Sequence, residues 1–173
     1  MIRVASEDDW AEIPSVHRIA FGAKDPAEGE AVALIAQQLH DRPDLHEPDL
    51  SFVAVEDGRV VGHVMNTWST IEGSPARILQ FSPLGVLPGY QRRGHGSALV
   101  RASLEAVKAR GEPALVLEGN PEFYGRFGFV RADELGLLPP PECHWDWAFQ
   151  VAILDPDAEL PQGRVVYSEP FRH

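Results

Sequence analysis

The chain has 173 residues, of which 44% are hydrophobic, so one domain with a full apolar core is affordable in length and composition. A formal net charge of −11 argues against nucleic acid as a partner, because binding a phosphate backbone requires basic patches. The single cysteine, Cys143, excludes an internal disulfide. The start MIRVASEDDW has neither the basic residues nor the apolar run of a secretory signal, and no apolar run reaches the ~20 residues that cross a bilayer. A cytoplasmic protein without membrane attachment is the expectation. Charge is unevenly spread: residues 74–131 hold four acids and eight bases, whereas the segments on either side are acidic. An anionic ligand at the basic stretch and a cationic partner elsewhere would suit that pattern, as would ordinary surface scatter.

In chain order, Ile2–Ala5 reads as a short strand. Ser6 with Asp9 gives a helix start of the capping-box type, and Ile13, Val16, Ile19 and Ala20 carry helical spacing towards Gly22. Ala27–His40 is a second helix, with Ala31, Leu34, Ile35 and Leu39 on one face. Ser51–Val55 and Arg59–Trp68 are rich in strand formers and flank Asp57-Gly58, a strong hairpin signal. Arg77–Leu87 is a third strand, interrupted by Pro83 and Gly85, which suggests an edge or a bulge. Gly94–Arg110 is a helix closed by Gly111, and Ala114–Glu118 is a buried strand. A short helix over Pro121–Phe127, a strand at Phe129–Arg131, a proline-rich loop over 132–146 and a last strand at Ala148–Leu154 complete the pattern. The predicted fold class is α/β: a mixed, largely antiparallel central sheet with helices on both faces.

The most informative segment is Gln91-Arg92-Arg93-Gly94-His95-Gly96-Ser97, between a strand and a helix. A helix start offers unpartnered N–H groups and partial positive charge, both suited to a pyrophosphate. Gly94 and Gly96 would let the backbone approach it, and Arg92 and Arg93 add charge. A nucleotide P-loop needs a Lys that is absent here. The dinucleotide fingerprint lacks its third Gly, with Leu99 in that place, although Glu118 stands at a suitable distance downstream. A plain strand–turn–helix corner also fits the six residues 91–96. No C-x-x-C or H-x-x-x-H spacing points to a metal, and no G-x-S-x-G points to a hydrolase.

Gln91-Arg92-Arg93-Gly94-His95-Gly96 resembles the Gln/Arg-x-x-Gly-x-Gly/Ala signature of the GNAT superfamily of acetyl-CoA-dependent N-acetyltransferases. Phe123-Tyr124 through Gly128-Phe129 resembles the Phe-Tyr-x-x-x-Gly-Phe motif of the same family. The resemblance covers roughly residues 2–154, and the tail Gly163–Phe171 looks like a bacterial subgroup of acetyltransferases. It implies a domain over 1–154 with a packed extension over 155–173. It implies acetyl-CoA as cosubstrate, no metal, direct attack by a primary amine on a small molecule or a protein, and a monomer or homodimer. It places backbone N–H groups near Leu84 and Val86 on the pantetheine and thioester, with the two side chains in the core. It makes Tyr124 the acid that protonates the departing thiolate. The strand before the turn carries Gln80 where some relatives carry a glutamate base. Glu118, His63, His95 or a water chain remain as candidate bases, with Glu118 preferred. His63 reads equally as a structural histidine, and His95 as a residue whose backbone alone matters. Asn120 is assigned either to the pantetheine amides or to the cap of the helix after it. The acidic run Asp25, Glu28, Glu30, Asp41, Asp44 and Glu47 favours a cationic acceptor, and Trp68, Trp145 and Trp147 supply either an apolar wall or core. A non-catalytic acyl-CoA-binding module is the alternative that Gln80 keeps open.

Overall fold

The computed structural model describes residues 1–172. It is a mixed α/β chain with mostly antiparallel strand pairing, as the sequence pattern predicts. The chain forms two compact units, Met1–Thr67 with Ser82–Ser103, and Trp68–Phe81 with the chain from Leu104 onward.

In the first unit, β1 (Ile2–Val4) pairs with β2 (Phe52–Glu56), and β2 with β3 (Arg59–Ile71), both antiparallel. The hairpin turns through Asp57 and Gly58 at φ 52° and 76°, the positive values that a two-residue turn of this hand requires. The helix expected from Ser6 begins instead as a 3₁₀ turn, Glu7–Ala11, and α1 (Ile13–Gly22) starts anew. Pro14 accounts for the break, since it has no N–H to continue the earlier turn. The Ser6–Asp9 cap forms as read: Ser6 N–H donates to Asp9 Oδ2 at 2.7 Å. Asp9 also takes a two-pronged bond from Arg3, at 2.6 and 2.9 Å, which holds its carboxyl down to about 2. α2 (Pro26–His40) is capped by Asp25, whose Oδ1 accepts from Ala27 N–H at 3.1 Å. α1 and α2 approach so closely that a Cβ on Gly29 would fall against the Arg18 carbonyl and 2.7 Å from Gly22 Cα.

This unit buries an unusual polar line. His17 of α1 and His63 of β3 are fully buried, with His17 Nε2 and His63 Nδ1 2.7 Å apart. His63 Nε2 lies 2.8 Å from Ser51 Oγ. His17 Nδ1 has no partner among the described residues and faces Gly85, where a Cβ would come within 2.8 Å of it. Burial lowers the His17 pKa to about 3. His63 is held well below the usual imidazole range, first by burial and then by His17, against an opposing pull from Asp9 that exceeds the small effect of His40. Trp10 packs an edge on His63 at 5.4 Å and stacks on His40.

β4 (Arg77–Val86) has its first half in the second unit, where it runs parallel to β5 (Ala114–Glu118) through the pairs Leu79–Leu115 and Gln80–Val116. β5 pairs along its whole length with antiparallel β8 (Phe149–Ile153), which pairs in turn with β6 (Val130–Arg131). Ile71, Ile78, Val116, Phe149, Val151, Val165 and Tyr167 form its apolar core. Three elements differ from the sequence reading. β3 extends past Trp68 to Ile71, because Thr70 and Ile71 pair with Val166 and Val165 of β9 (Gly163–Val166). β9 also pairs parallel with β7 (Leu137–Leu138), inside the stretch read as loop. Both strands are too short for a periodic signal and exist through partners distant in sequence.

Two stability tests follow from the first unit. Gly29→Ala should destabilise the protein by about 1–3 kcal/mol in urea unfolding, since neither helix can yield without moving its backbone. A neutral effect would contradict the close approach. The buried imidazoles stay neutral while those of the unfolded chain take protons below pH ~6.5. Stability should therefore be fully present above that pH and fall towards pH 5 by up to about 1.4 kcal/mol per pH unit for each histidine. His17→Leu should flatten the slope; an identical slope would show that His17 does not titrate this way.

Candidate active site

The phosphate-type turn belongs to the first unit. After β4 the chain makes a short 3₁₀ turn, Pro88–Tyr90, and reaches α3 (His95–Ala109) through Arg92 at φ 61° and Gly94 at φ 87°. Nothing lies within 4 Å of a Cβ built on Gly94, so its glycine is needed for the left-handed backbone rather than for room within the protein. The first helical bond runs from Ala98 N–H to the Gly94 carbonyl, at 3.0 Å. Among the described residues, no protein acceptor takes the backbone N–H groups of Arg92, Arg93, Gly94, His95, Gly96 or Ser97. Residues 91–94 are exposed and 95–97 half-buried. The helix thus opens with a row of unsatisfied donors that solvent can reach.

The side chains around this turn are arranged differently from the simple expectation of two free arginines. Arg93 donates to Glu56 Oε1 at 2.6 Å, and His95 Nε2 meets Glu56 Oε2 at 2.7 Å. The His95 hydrogen bond and the Arg93 charge hold the Glu56 carboxyl below its ordinary range. Arg93 also lies over the Tyr90 ring at 5.1 Å. Gln91 Nε2 donates to the Val86 carbonyl at 3.0 Å and fixes the turn against the strand end. Arg92 has no ion-pair partner among the described residues, so its charge is available to a ligand. Glu56 was not singled out in the sequence, because its partners stand 37 and 39 residues away.

β4 alternates in exposure as it approaches the turn. Pro83, Gly85 and Leu87 are buried, whereas Leu84 and Val86 are half-buried. The side chains of Leu84 and Val86 therefore do not sit in the core as expected. Gln80 lies in the second unit, 3% exposed, and its Oε1 accepts from Ser69 Oγ at 3.0 Å. Its carboxamide oxygen is thus held within the core. His63 is likewise engaged at both ring nitrogens, as described above.

Tyr124, Glu118 and Asn120 belong to the second unit. Asn120 caps α4 (Pro121–Tyr124), its Oδ1 accepting from Glu122 N–H at 3.0 Å. Of its two readings the structure displays the cap. Tyr124 is wedged among Phe81, Phe123 and Phe129, with ring centroids 6.0, 4.8 and 5.9 Å away. Its ring also lies against Gly119, where any Cβ would collide with it. Burial pushes the phenol up to about 12, so it is protonated at neutral pH. Such a group can give a proton to a strong base formed beside it. Glu118 is exposed at the end of β5, and burial, then Glu118, push the Cys143 thiol up to about 12. Glu118 and Asn120 line one cleft of about 530 Å³, together with Glu122, His144, Trp145 and Trp147. The acids Asp25, Glu28, Glu30, Asp41, Asp44 and Glu47 belong to the first unit and are not among this cleft's lining residues.

No helix among the described residues is long and apolar enough to cross a membrane. Residues 1–132 match the family model described as an acetyltransferase (GNAT) domain. The chain is 31% identical over 176 residues to the uncharacterized N-acetyltransferase YhbS of Escherichia coli K12, covering 99% of this chain and 98% of that one. It is 31% identical over 147 residues to the uncharacterized N-acetyltransferase YjhQ of the same organism, covering 82% and 77%. The crystal structure of Escherichia coli YhbS in complex with CoA superposes with a TM-score of 0.84 at 30% identity, over 99% of this chain and 91% of that one. A GNAT family acetyltransferase from Brucella melitensis in complex with acetyl-CoA gives 0.80 at 30% identity, over 99% and 97%. With the turn, the fold and near full-length likeness in agreement, the chain belongs to the GNAT family of N-acetyltransferases.

Proposed function

We propose that this protein moves an acetyl group from acetyl-CoA to a primary amine by direct attack while both substrates are bound. The observation that carries this reading is the row of unbonded amides from Arg92 to Ser97 at the mouth of α3. Six such donors with a partial positive charge behind them match a diphosphate, and Gly94 gives the backbone its left-handed entry. Likeness to two chains whose structures hold CoA or acetyl-CoA supports the same ligand here. Gln91 supports the turn, Arg92 adds charge, and Arg93 and His95 hold its shape through Glu56. Backbone N–H groups near Leu84 and Val86 are assigned to pantetheine and the thioester oxygen, where one donor is worth about 3 kcal/mol.

In the transfer a nitrogen–carbon bond forms and the carbon–sulfur bond breaks. The amine must be neutral to attack, so a base has to take its proton; we assign this to Glu118, whose carboxylate is solvent-exposed. The sulfur leaves as a thiolate and takes the phenolic proton of Tyr124. A phenol at about 12 keeps its proton until a thiolate forms, which suits that timing. Gln80 does not enter this scheme, because its carboxamide has no basic site and is already bonded to Ser69. We assign the enzyme to the cytoplasm, on the strength of its lone, buried, unpaired Cys143. The acetyltransferase domain is assigned to 1–154, with 155–173 as an extension that adds β9 to it.

Tyr124→Phe should lower turnover by about 10²–10⁴ while leaving acetyl-CoA affinity within a few-fold, read as CoA thiol release and calorimetry. Unchanged turnover would remove Tyr124 as the acid. Gly94→Val should weaken acetyl-CoA at least tenfold, since a β-branched residue cannot hold φ 87° without strain. Full affinity in that variant would remove the turn as the diphosphate site. Tight acetyl-CoA binding with no thiol release on any amine would overturn the transfer itself.

A further inference from the structure

The cleft at the end of β5 combines two features that soluble proteins seldom leave in solvent together. Trp145 is 60% and Trp147 49% exposed, and their rings lie nearly parallel, 28° apart in plane and 5.9 Å between centroids. Isolated exposed apolar residues need no explanation, but a paired indole surface inside a concave site does. The pair does not dangle from a loose loop. Cys143 Sγ donates to the Trp145 carbonyl at 3.3 Å, and Ala148 N–H donates to the same carbonyl at 2.9 Å. Gly119 N–H donates to the Ala148 carbonyl at 2.9 Å, and Gln150 Nε2 donates to the Gly119 carbonyl at 3.0 Å. The tryptophan wall is thus bonded to the strand end that bears Glu118.

The charge of the cleft has one sign. Glu118 and Glu122 line it, Asp146 stands between the two tryptophans in sequence, and no Lys or Arg is part of its lining. Indole faces attract cations through their negative π surface, and a carboxylate alongside adds to that attraction. Its volume of about 530 Å³ falls within the ~300–1,000 Å³ of small-molecule sites.

We propose that this cleft is the acceptor site and that it selects a small organic amine joined to a flat apolar body, such as an aralkylamine. The ring of the acceptor lies on Trp145 and Trp147, and its ammonium group faces Glu118 and Glu122. This rests on the transferase reading above and names the acceptor class for it. Glu118 then both draws in the cation and takes its proton. The acids Asp25, Glu28, Glu30, Asp41, Asp44 and Glu47 do not enter this assignment.

The test is binding measured without acetyl-CoA, so that it does not depend on transfer. Phenethylamine, butylamine and 3-phenylpropionate are titrated by calorimetry into the full-length protein and into Trp145→Ala/Trp147→Ala and Glu122→Gln. The expected result is millimolar or tighter binding of phenethylamine, at least tenfold weaker butylamine, and no binding of the acid. The tryptophan double variant should lose at least tenfold for phenethylamine but not for butylamine. Glu122→Gln should weaken both amines alike. Both replacements are at exposed positions, so circular dichroism should report an unchanged fold. Equal binding of the amine and the acid, or phenethylamine affinity unaffected by the tryptophan loss, would overturn the proposal. So would a concentration-dependent dimer abolished by the double variant, which would make the tryptophans an interface. Acetyl-CoA affinity measured on the same samples separates the two levels. Its loss in the wild-type protein sinks the transferase reading, whereas its retention without amine binding sinks only the acceptor assignment.

Discussion

An α-helix that opens with unbonded amides is costly unless something outside the helix uses them. At α3 the cost is built in by the backbone: Arg92 and Gly94 both take positive φ, and this turns the chain so that six consecutive N–H groups meet no protein acceptor among the described residues. The surrounding residues preserve that arrangement rather than relieve it. Gln91 ties the turn to the Val86 carbonyl, and Glu56 grips Arg93 and His95 from the β2 hairpin. Most of the positive charge near the turn is thereby spent on shape. Attraction for an anion falls chiefly to the amides, with Arg92 as the side chain whose charge is uncommitted.

In the second unit a phenol is held largely among apolar rings. Three aromatic rings and the bare backbone of Gly119 surround Tyr124, and that enclosure lifts its pKa. A side chain on Gly119 would push the ring away. Directly after Tyr124 the chain turns through Gly128 at φ 93° into β6, so the motif carries its own stop. The neighbouring cleft is polar and open by contrast.

Much of this was legible in the sequence because it depends on local chemistry. Asp57-Gly58, Gly94, Gly111 and Gly128 each mark a positive-φ turn, and all four occur where their neighbours predicted a turn or an element end. Helix and strand periodicity placed α2, α3, β5 and β8 within a residue or two. What was hidden depends on partners far along the chain. β9 is four residues long and exists through β3 and β7, and the grip of Glu56 on the turn spans 37 residues. The His17–His63 line was half visible: His63 stood out, but only the fold brings His17 to it across 46 residues. The side chains of Leu84 and Val86 were expected in the core because strand sequence alone does not tell which face of β4 is covered.

Acetyl-CoA binding as proposed requires that the amides at the mouth of α3 meet the diphosphate. Hydrogen–deuterium exchange of the segment spanning Arg92–Ala98, followed by mass spectrometry with and without saturating acetyl-CoA, reads them directly. Unbonded, exposed amides exchange fast in the free protein and should be slowed at least tenfold when the ligand is bound. Fast exchange that persists at saturation, with protection appearing elsewhere instead, would contradict it.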